Sequence, residues 1–131
     1  MAGAAPGSED LGRAVERLAD RLRTLTDARL ARPVVGGASA GDRAHVLAQS
    51  LSDAEQGIAE RAAERPPAWR TMPRLGDLAV GDQVAVTGAD LVASCEGLDP
   101  AESVWTRAGR SAASAVLARA VADVRELAAL L

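Results

Sequence analysis

The stretch GDLAVGDQVAVTGADLV, residues 76–92, decides which fold class the sequence predicts. A β-hairpin is one interpretation, because Gly-Asp precedes the alternating run Val84-Ala85-Val86; an amphipathic helix is the other, because apolar residues also recur every three or four positions. The hairpin would have only a few residues on each side and no further strand to pair with, which makes it marginal. The helix contains Gly81 and Gly88 in its interior, each costing roughly 1 kcal/mol relative to Ala. Since two glycines cost less than an isolated hairpin, we predict a helix from about Leu75 to Ser94.

The predicted helix places its apolar residues on one stripe, and a carboxylate falls within that stripe. The face that we expect to be buried consists of Leu75, Leu78, Ala79, Asp82, Ala85, Val86, Ala89 and Val92. A buried carboxylate is unfavourable unless it is paired. We therefore expect Asp82 to meet an arginine or to lie at an exposed end, and we prefer this to its lining a functional polar cavity.

Three further segments have helical periodicity. The first begins at Ser8, a candidate N-cap, and is ended by Arg32-Pro33 and Gly36-Gly37. The second begins at Ser39, which forms a capping box with Asp42, and stops at Pro66-Pro67. The last covers residues 111–131 and contains neither Gly nor Pro. Their apolar stripes are Leu11, Val15, Leu18, Leu22 and Leu25; Leu47, Leu51, Ala54, Ile58 and Ala62; and Val116, Leu117, Ala120, Val121, Val124, Leu127, Leu130 and Leu131.

These segments predict an all-α fold, a four-helix bundle with long inter-helix loops. One crossover, RPPAWRTMP at residues 65–73, joins the second helix to the third. In the last loop we expect Val104-Trp105-Thr106 to form a short extended piece lying against the bundle. We predict a disordered N-terminus over residues 1–7 and a single domain over residues 8–131.

Composition and charge narrow the class of partner. The chain has 131 residues, enough for one core, and a formal net charge of −3. Its acidic and basic residues are interspersed without a basic stripe, so we expect no nucleic-acid partner. The N-terminal residues lack the pattern of a signal peptide, and no apolar run approaches the roughly 20 residues of a membrane-spanning helix. Cys95 is the single cysteine, which suits a reducing compartment. We expect a cytoplasmic protein without a membrane partner.

Three stretches resemble a known family: LRTLTDARLARPV at residues 22–34, VLAQSLSDAEQGI at residues 46–58 and GADLVASCEGLDPAESVWT at residues 88–106. They are similar to the DinB-like superfamily, in particular to the bundle domain of actinobacterial mycothiol-dependent maleylpyruvate isomerases. The resemblance implies a four-helix bundle. It also implies a divalent metal bound by a His of the second helix with further His or Glu residues. Ser50 stands at that second-helix position and the last helix has no His, so we expect no metal site, no cofactor and no carry-over of the family's activity.

Few side chains are candidates for chemistry. His45, the only histidine, shares a polar helix face with Gln49, Ser52, Asp53 and Gln56, and we prefer a solvated side chain to an acid–base role. We expect Trp105 to plug one end of the bundle, and Trp69 either to cap the crossover or to face a partner. We expect Cys95, at a helix C-terminus, to be an inert packed thiol.

The preferred hypothesis is a metal-free bundle that binds a small molecule or a protein rather than catalysing a reaction. Its candidate pocket lies near Ser50, Asp82 and Trp105, with Trp69 as a further lining residue. One alternative is a thiol-dependent transferase or isomerase of the mycothiol type, with His45 and Asp82 as weak acid–base candidates. Another is a structural homodimer.

Overall fold

The computed structural model describes residues 7–131, so the expectation of a disordered N-terminus lies almost wholly outside the described residues. The chain is mostly helical, with helices α1 (Ser8–Thr24), α2 (Asp27–Ala31), α3 (Ala40–Ala59), α4 (Val80–Ser94) and α5 (Ala113–Leu130). Two short 3-10 helices, Val35–Gly37 and Asp77–Ala79, precede α3 and α4. The only strands in the described part are β1 (Ser103–Thr106) and β2 (Gly109–Ala112).

The helical interpretation is confirmed from Val80 to Ser94, but the start that we predicted at about Leu75 is too early, because Gly76 is not helical and residues 77–79 form a 3-10 turn. The face that we predicted to be buried is also wrong. Leu78 is 73% exposed and Val86 is 60% exposed, whereas Val80, Val84 and Leu91 are completely buried. The buried face of α4 is the one that carries both interior glycines. An apolar stripe read from the sequence gives no weight to glycine, and it therefore selected the outer side of the helix.

The two glycines face the core because α4 packs closely against α1. A Cβ atom at Gly88 would overlap the γ-methyl groups of Val15. At Gly81 it would lie 2.9 Å from Cγ of Arg23 and 3.2 Å from the carbonyl oxygen of Ala19. Glycine at these two positions therefore lets the helices approach more closely than any other residue would.

The four long helices make a closed ring of contacts, in which α4 packs on α1 and α3 while α5 packs on the same two helices. Together they enclose one apolar core. Its largest completely buried side chains are Leu11, Leu18, Leu22, Leu30, Leu51, Ile58, Leu91, Leu117, Val80, Val84, Val104 and Val124. No described helix is long and apolar enough to cross a membrane.

The expectation of an all-α fold is wrong at residues 103–112, where β1 and β2 form an antiparallel hairpin. The extended piece predicted at Val104–Thr106 is β1, but Ser111, predicted to begin the last helix, pairs with Val104 in β2. Gly109 follows the tight turn with φ of 117°, a conformation that favours glycine. So short a hairpin is stable because it packs on α3. Val104 is completely buried, and the backbone carbonyl of Trp105 lies so close to Gly57 that a Cβ atom there would overlap it.

Helix ends differ from the sequence prediction in the first half of the chain. Ser39 caps α3 as predicted, its Oγ accepting from the amide of Asp42 at 3.0 Å. Ser8 is not an N-cap but the buried first residue of α1, which follows Gly7. The first helix stops at Thr24, because Thr26 accepts from the amide of Arg29 at 3.2 Å and begins α2 as a separate helix. Helix α3 ends at Ala59, before the Pro66-Pro67 pair that we expected to stop it.

Candidate binding site

Each side of α3 forms one wall of a cavity. Ser50 lines a cavity of about 510 Å³ between α3, the hairpin and α5, which we call the hairpin groove. Ser52 lines a second cavity of about 690 Å³ between α3 and α4. Residues two positions apart on an α-helix are about 200° apart around its axis, so Ser50 and Ser52 lie on opposite sides of α3.

The hairpin groove combines an apolar floor with charged and hydroxylated edges. Its floor is made by Leu51, Ala54, Val116 and Ala120, and hydroxyl groups come from Ser50, Thr106 and Ser111. Two arginine–aspartate pairs complete the lining, one formed by Arg107 with Asp53 and the other by Arg119 with Asp123. The charges of the lining side chains therefore balance.

Arg107 is held in a two-point contact that joins the hairpin turn to α3. Its Nε lies 2.6 Å from Oδ2 of Asp53, and its Nη2 lies 3.1 Å from Oδ1. The hydrogen bond to Asp53 raises the pKa of the Arg107 guanidinium. Trp69 packs on the same side chain, with its ring centroid 5.4 Å from the guanidinium carbon. Trp69 is half-buried and does not line the groove, but it supports a residue that does.

Trp105 forms part of the groove wall and is not the core plug that we predicted. Its side chain is half-buried, and its indole nitrogen donates to the carbonyl of Ala63 at 3.0 Å. The guanidinium of Arg110 stacks 4.0 Å from the ring centroid and also donates to the carbonyls of Ala63 at 2.9 Å and Arg61 at 2.7 Å. The hairpin is thereby fixed to backbone carbonyls of the turn that follows α3.

Asp82 lies elsewhere, so the predicted convergence of Ser50, Asp82 and Trp105 is wrong. Ser50 and Trp105 share the hairpin groove, whereas Asp82 lines the cavity on the other side of α3. The Asp82 side chain is 73% exposed and pairs with Arg23 at 2.9 Å. The arginine partner that we expected is present, but the carboxylate is on the outer face of α4.

The polar face of α3 holds residues 68–73, an extended segment that we call the strap. Gln56 donates to the carbonyl of Ala68 at 2.9 Å and accepts from the amide of Arg70 at 3.1 Å. Gln49 repeats this pattern two residues further along, donating to the carbonyl of Arg70 at 2.9 Å and accepting from the amide of Met72 at 2.7 Å. Both side-chain amides thus replace the neighbouring strand that an extended chain would pair with.

His45 continues this row of contacts and is not the solvated side chain that we expected. It is half-buried, and its Nε2 lies 3.1 Å from the carbonyl oxygen of Met72. The glutamines were missed for the same reason: a polar helix face is typical of a solvated surface. The available signal was the seven-residue spacing of Gln49 and Gln56 beside a proline-rich crossover that needs hydrogen-bond partners.

The weak acid–base candidates, His45 and Asp82, do not form one site, and Cys95 is the packed thiol that we expected. Cys95 is completely buried, its Sγ lies 3.2 Å from the carbonyl of Leu91, and burial raises the pKa of its thiol. No hydrogen bond or ion pair within residues 7–131 connects Cys95, His45 and Asp82. Across the same residues, no three His, Cys, Asp or Glu side chains group as they would around a metal ion.

Comparisons of the chain with models of known protein families, with curated proteins and with solved structures each gave no match.

Proposed function

We propose that this protein acts by binding a small molecule in the hairpin groove. The observation that carries the proposal is the combination, in one cavity, of an apolar floor and two arginine–aspartate pairs from different elements. The volume of about 510 Å³ lies within the range of small-molecule sites in proteins. Hydrophobic area then supplies affinity, and the charged edge fixes the orientation of the ligand.

The charge balance of the groove favours a zwitterionic ligand. The Arg119 side chain is 81% exposed, so its guanidinium is accessible to a carboxylate from solvent. Asp53 and Asp123 supply acceptors for an ammonium group in the same cavity. A ligand with one net charge would leave one of these groups with a like-charged neighbour. The class that fits is a small zwitterion with an apolar side chain, of the free amino acid kind.

We also propose that the chain is a metal-free relative of the DinB-like superfamily. Support comes from the three stretches that resemble it, at residues 22–34, 46–58 and 88–106. Ser50, which stands where the resemblance implies a metal-binding histidine, lines the hairpin groove. The proposed ligand would then occupy the part of the fold where the family's chemistry takes place.

A structural homodimer is a second candidate, favoured by apolar side chains on the outer side of α4 and the turn before it. Leu75, Leu78 and Val86 are 64%, 73% and 60% exposed. Light scattering of the wild type and of Leu78→Glu tests it. A dimer that becomes a monomer on substitution supports this candidate, and a wild-type monomer at high concentration removes it.

The groove is tested by a matched ligand series followed by NMR. Norleucine carries both charges, hexanoate lacks the ammonium group and pentylammonium lacks the carboxylate. We expect norleucine to shift amide signals of residues 115–123 saturably and the other two to leave them largely unchanged. Ser50→Trp fills the groove and should abolish the shifts, whereas Ser52→Trp, on the other side of α3, should preserve them. Equal binding to both variants would contradict the proposal.

A further inference from the structure

A buried acceptor without a donor marks the cavity between α3 and α4, which we call the strap groove. Gln83 is 8% exposed, and its side-chain nitrogen donates to the carbonyl of Pro73 at 2.9 Å. Its Oε1 is buried and has no hydrogen-bond partner among the described residues. Gln83 lines the strap groove. Leaving such an acceptor unpaired is unfavourable, so an N–H donor brought by a ligand would recover free energy.

The missing donor follows from the repeat of the strap contacts. Gln56 and Gln49 each donate to one carbonyl and accept the amide N–H two residues later. For Gln83, which donates to Pro73, the corresponding donor is the amide of Leu75. The chain turns away there, since Gly76 has φ of 100° and the Leu75 side chain is 64% exposed. The third glutamine is thus satisfied at only one end.

The charges around the strap groove favour a cation. Three carboxylates line it, from Glu55, Asp82 and Asp90, against one guanidinium, that of Arg70. Glu55 pairs with Arg70 at 3.1 Å and Asp82 with Arg23, whereas Asp90 makes no ion pair within residues 7–131. Asp90 follows Gln83 by seven residues, which places it on the same face of α4 about 10.5 Å along the axis.

The remaining wall is apolar and open to solvent. Leu75, Val86 and Met72 line the groove. Leu75 is 64% exposed and Val86 is 60% exposed. A ligand that covered them would remove apolar surface from water. The complete set of contacts therefore suits a molecule with a positive N–H donor at one end and a hydrocarbon body.

We propose that the strap groove binds a primary alkylammonium ion. Its N–H donates to Oε1 of Gln83, its alkyl chain covers Leu75 and Val86, and Asp90 supplies the negative field. Because Oε1 is buried, the approach to it is narrow, which favours a compact ammonium group over a bulky one. This site is separate from the hairpin groove and does not depend on the function proposed for it.

The test compares two cations of equal charge and chain length, pentylammonium and pentyltrimethylammonium, by NMR titration of the full chain. Only the first has N–H donors. We expect pentylammonium to shift the Gln83 side-chain amide and backbone amides of residues 83–90 saturably, and to bind at least about tenfold more tightly, equivalent to ~1.4 kcal/mol. Equal affinity for both ions would show nonspecific attraction of cations and overturn the proposal, as would the absence of saturable shifts.

Variants separate this site from the hairpin groove. Asp90→Asn changes an exposed side chain and should weaken pentylammonium binding several-fold without altering the fold. Gln83→Met removes the acceptor and should abolish the preference for the primary ion. Should this variant unfold, Asp90→Asn and the comparison of the two ions in the wild type still test the proposal. Ser52→Trp should block binding and Ser50→Trp should leave it intact. Binding that is lost in Ser50→Trp but kept in Ser52→Trp would place the ion in the other groove and refute the assignment.

Discussion

Val15 packs against Gly88 where α1 meets α4, and the free energy of this contact can be measured. A methyl group at position 88 would overlap both γ-methyl groups of Val15, which is 3% exposed. We expect Gly88→Ala to lower the free energy of unfolding by about 1–3 kcal/mol, even though Ala is the better helix former. Urea denaturation measures the change. Val15→Ala should relieve the overlap. The double variant should therefore lose less free energy of unfolding than the sum of the losses in the two single variants.

Gly12 is the matched control for this contact. A Cβ atom there would lie 3.7 Å from Cγ2 of Val92, an ordinary contact. Gly12→Ala should therefore show only the helix-propensity gain and raise the free energy of unfolding by up to about 1 kcal/mol. If both alanine variants had the same stability, close packing through Gly88 would not be the reason for its glycine.

Cys95 gives a second prediction at this scale. Burial favours its neutral thiol and raises its pKa, so the folded chain keeps a proton that the unfolded chain loses first as the pH rises. The thiol contribution to stability is therefore complete below the ordinary thiol pKa and declines above it. In native buffer we expect Cys95 to react with a thiol reagent only as fast as the protein opens by local or global unfolding. In urea we expect Cys95 to react rapidly. Fast labelling of the folded protein would contradict the buried position.

At the scale of elements, the strap depends on two glutamines that act on different amides. Gln56→Met and Gln49→Met keep the side-chain volume but remove both hydrogen bonds to the strap, and Gln49→Met also removes the one to Asp53. We expect Gln56→Met to expose the Arg70 amide to hydrogen exchange, and Gln49→Met to expose that of Met72. Each variant is the control for the other. Each should also lower the free energy of unfolding by about 1 kcal/mol, because part-buried backbone groups lose their partners.

Arg74, the residue after the strap, forms an ion pair with the start of α3. Arg74 donates to Asp42 at 3.1 Å and also contacts Asp77. The bond from Arg74 lowers the pKa of the Asp42 carboxyl, followed by the bond from Ser39. The stabilisation is therefore present above the ordinary Asp pKa and is lost as the pH falls through the lowered value. A ¹³C titration should show this lowered value, and Arg74→Gln should return it towards the ordinary one; an unchanged value would contradict the contact.

The elements differ in how far the sequence could predict them. The long helices were predictable because their apolar residues repeat with the helical period. The buried face of α4 was not, since Gly81 and Gly88 gain their importance only from the partner helix. Of the hairpin, only β1 was recognised. The second strand has no β-branched or aromatic residue that would indicate a strand, and the hairpin depends on the contact between Gly57 and Trp105. Of the candidate site, the sequence identified Ser50 and Trp105. It did not identify the pair of Arg107 with Asp53, because these residues lie far apart in the chain, nor did the spacing of Arg119 and Asp123 within α5 show that this pair would line a cavity.

At the scale of the molecule, the strap and the hairpin groove are connected through α3. The side-chain nitrogen of Gln49 donates to the strap at Arg70 and also to Oδ1 of Asp53 at 2.9 Å. Asp53 in turn holds Arg107 at the edge of the groove, and Trp69, next to the strap's Arg70, packs on the same guanidinium. A change in the strap therefore alters hydrogen bonds that hold the hairpin groove, and a change in the groove alters hydrogen bonds that hold the strap.

Asp53→Asn tests this connection, and Asp123→Asn is its control. Both aspartates line the hairpin groove and pair with an arginine, but only Asp53 contacts Gln49. Asparagine removes the charge that holds Arg107 and weakens the acceptor that orients Gln49. We expect Asp53→Asn to increase hydrogen exchange at the Met72 amide, on the far side of α3, and Asp123→Asn to leave it unchanged. Because coupling is reciprocal, norleucine bound in the groove should in turn alter Met72 exchange in the wild type. Equal exchange in the two variants would mean that α3 separates the two cavities energetically as well as in space.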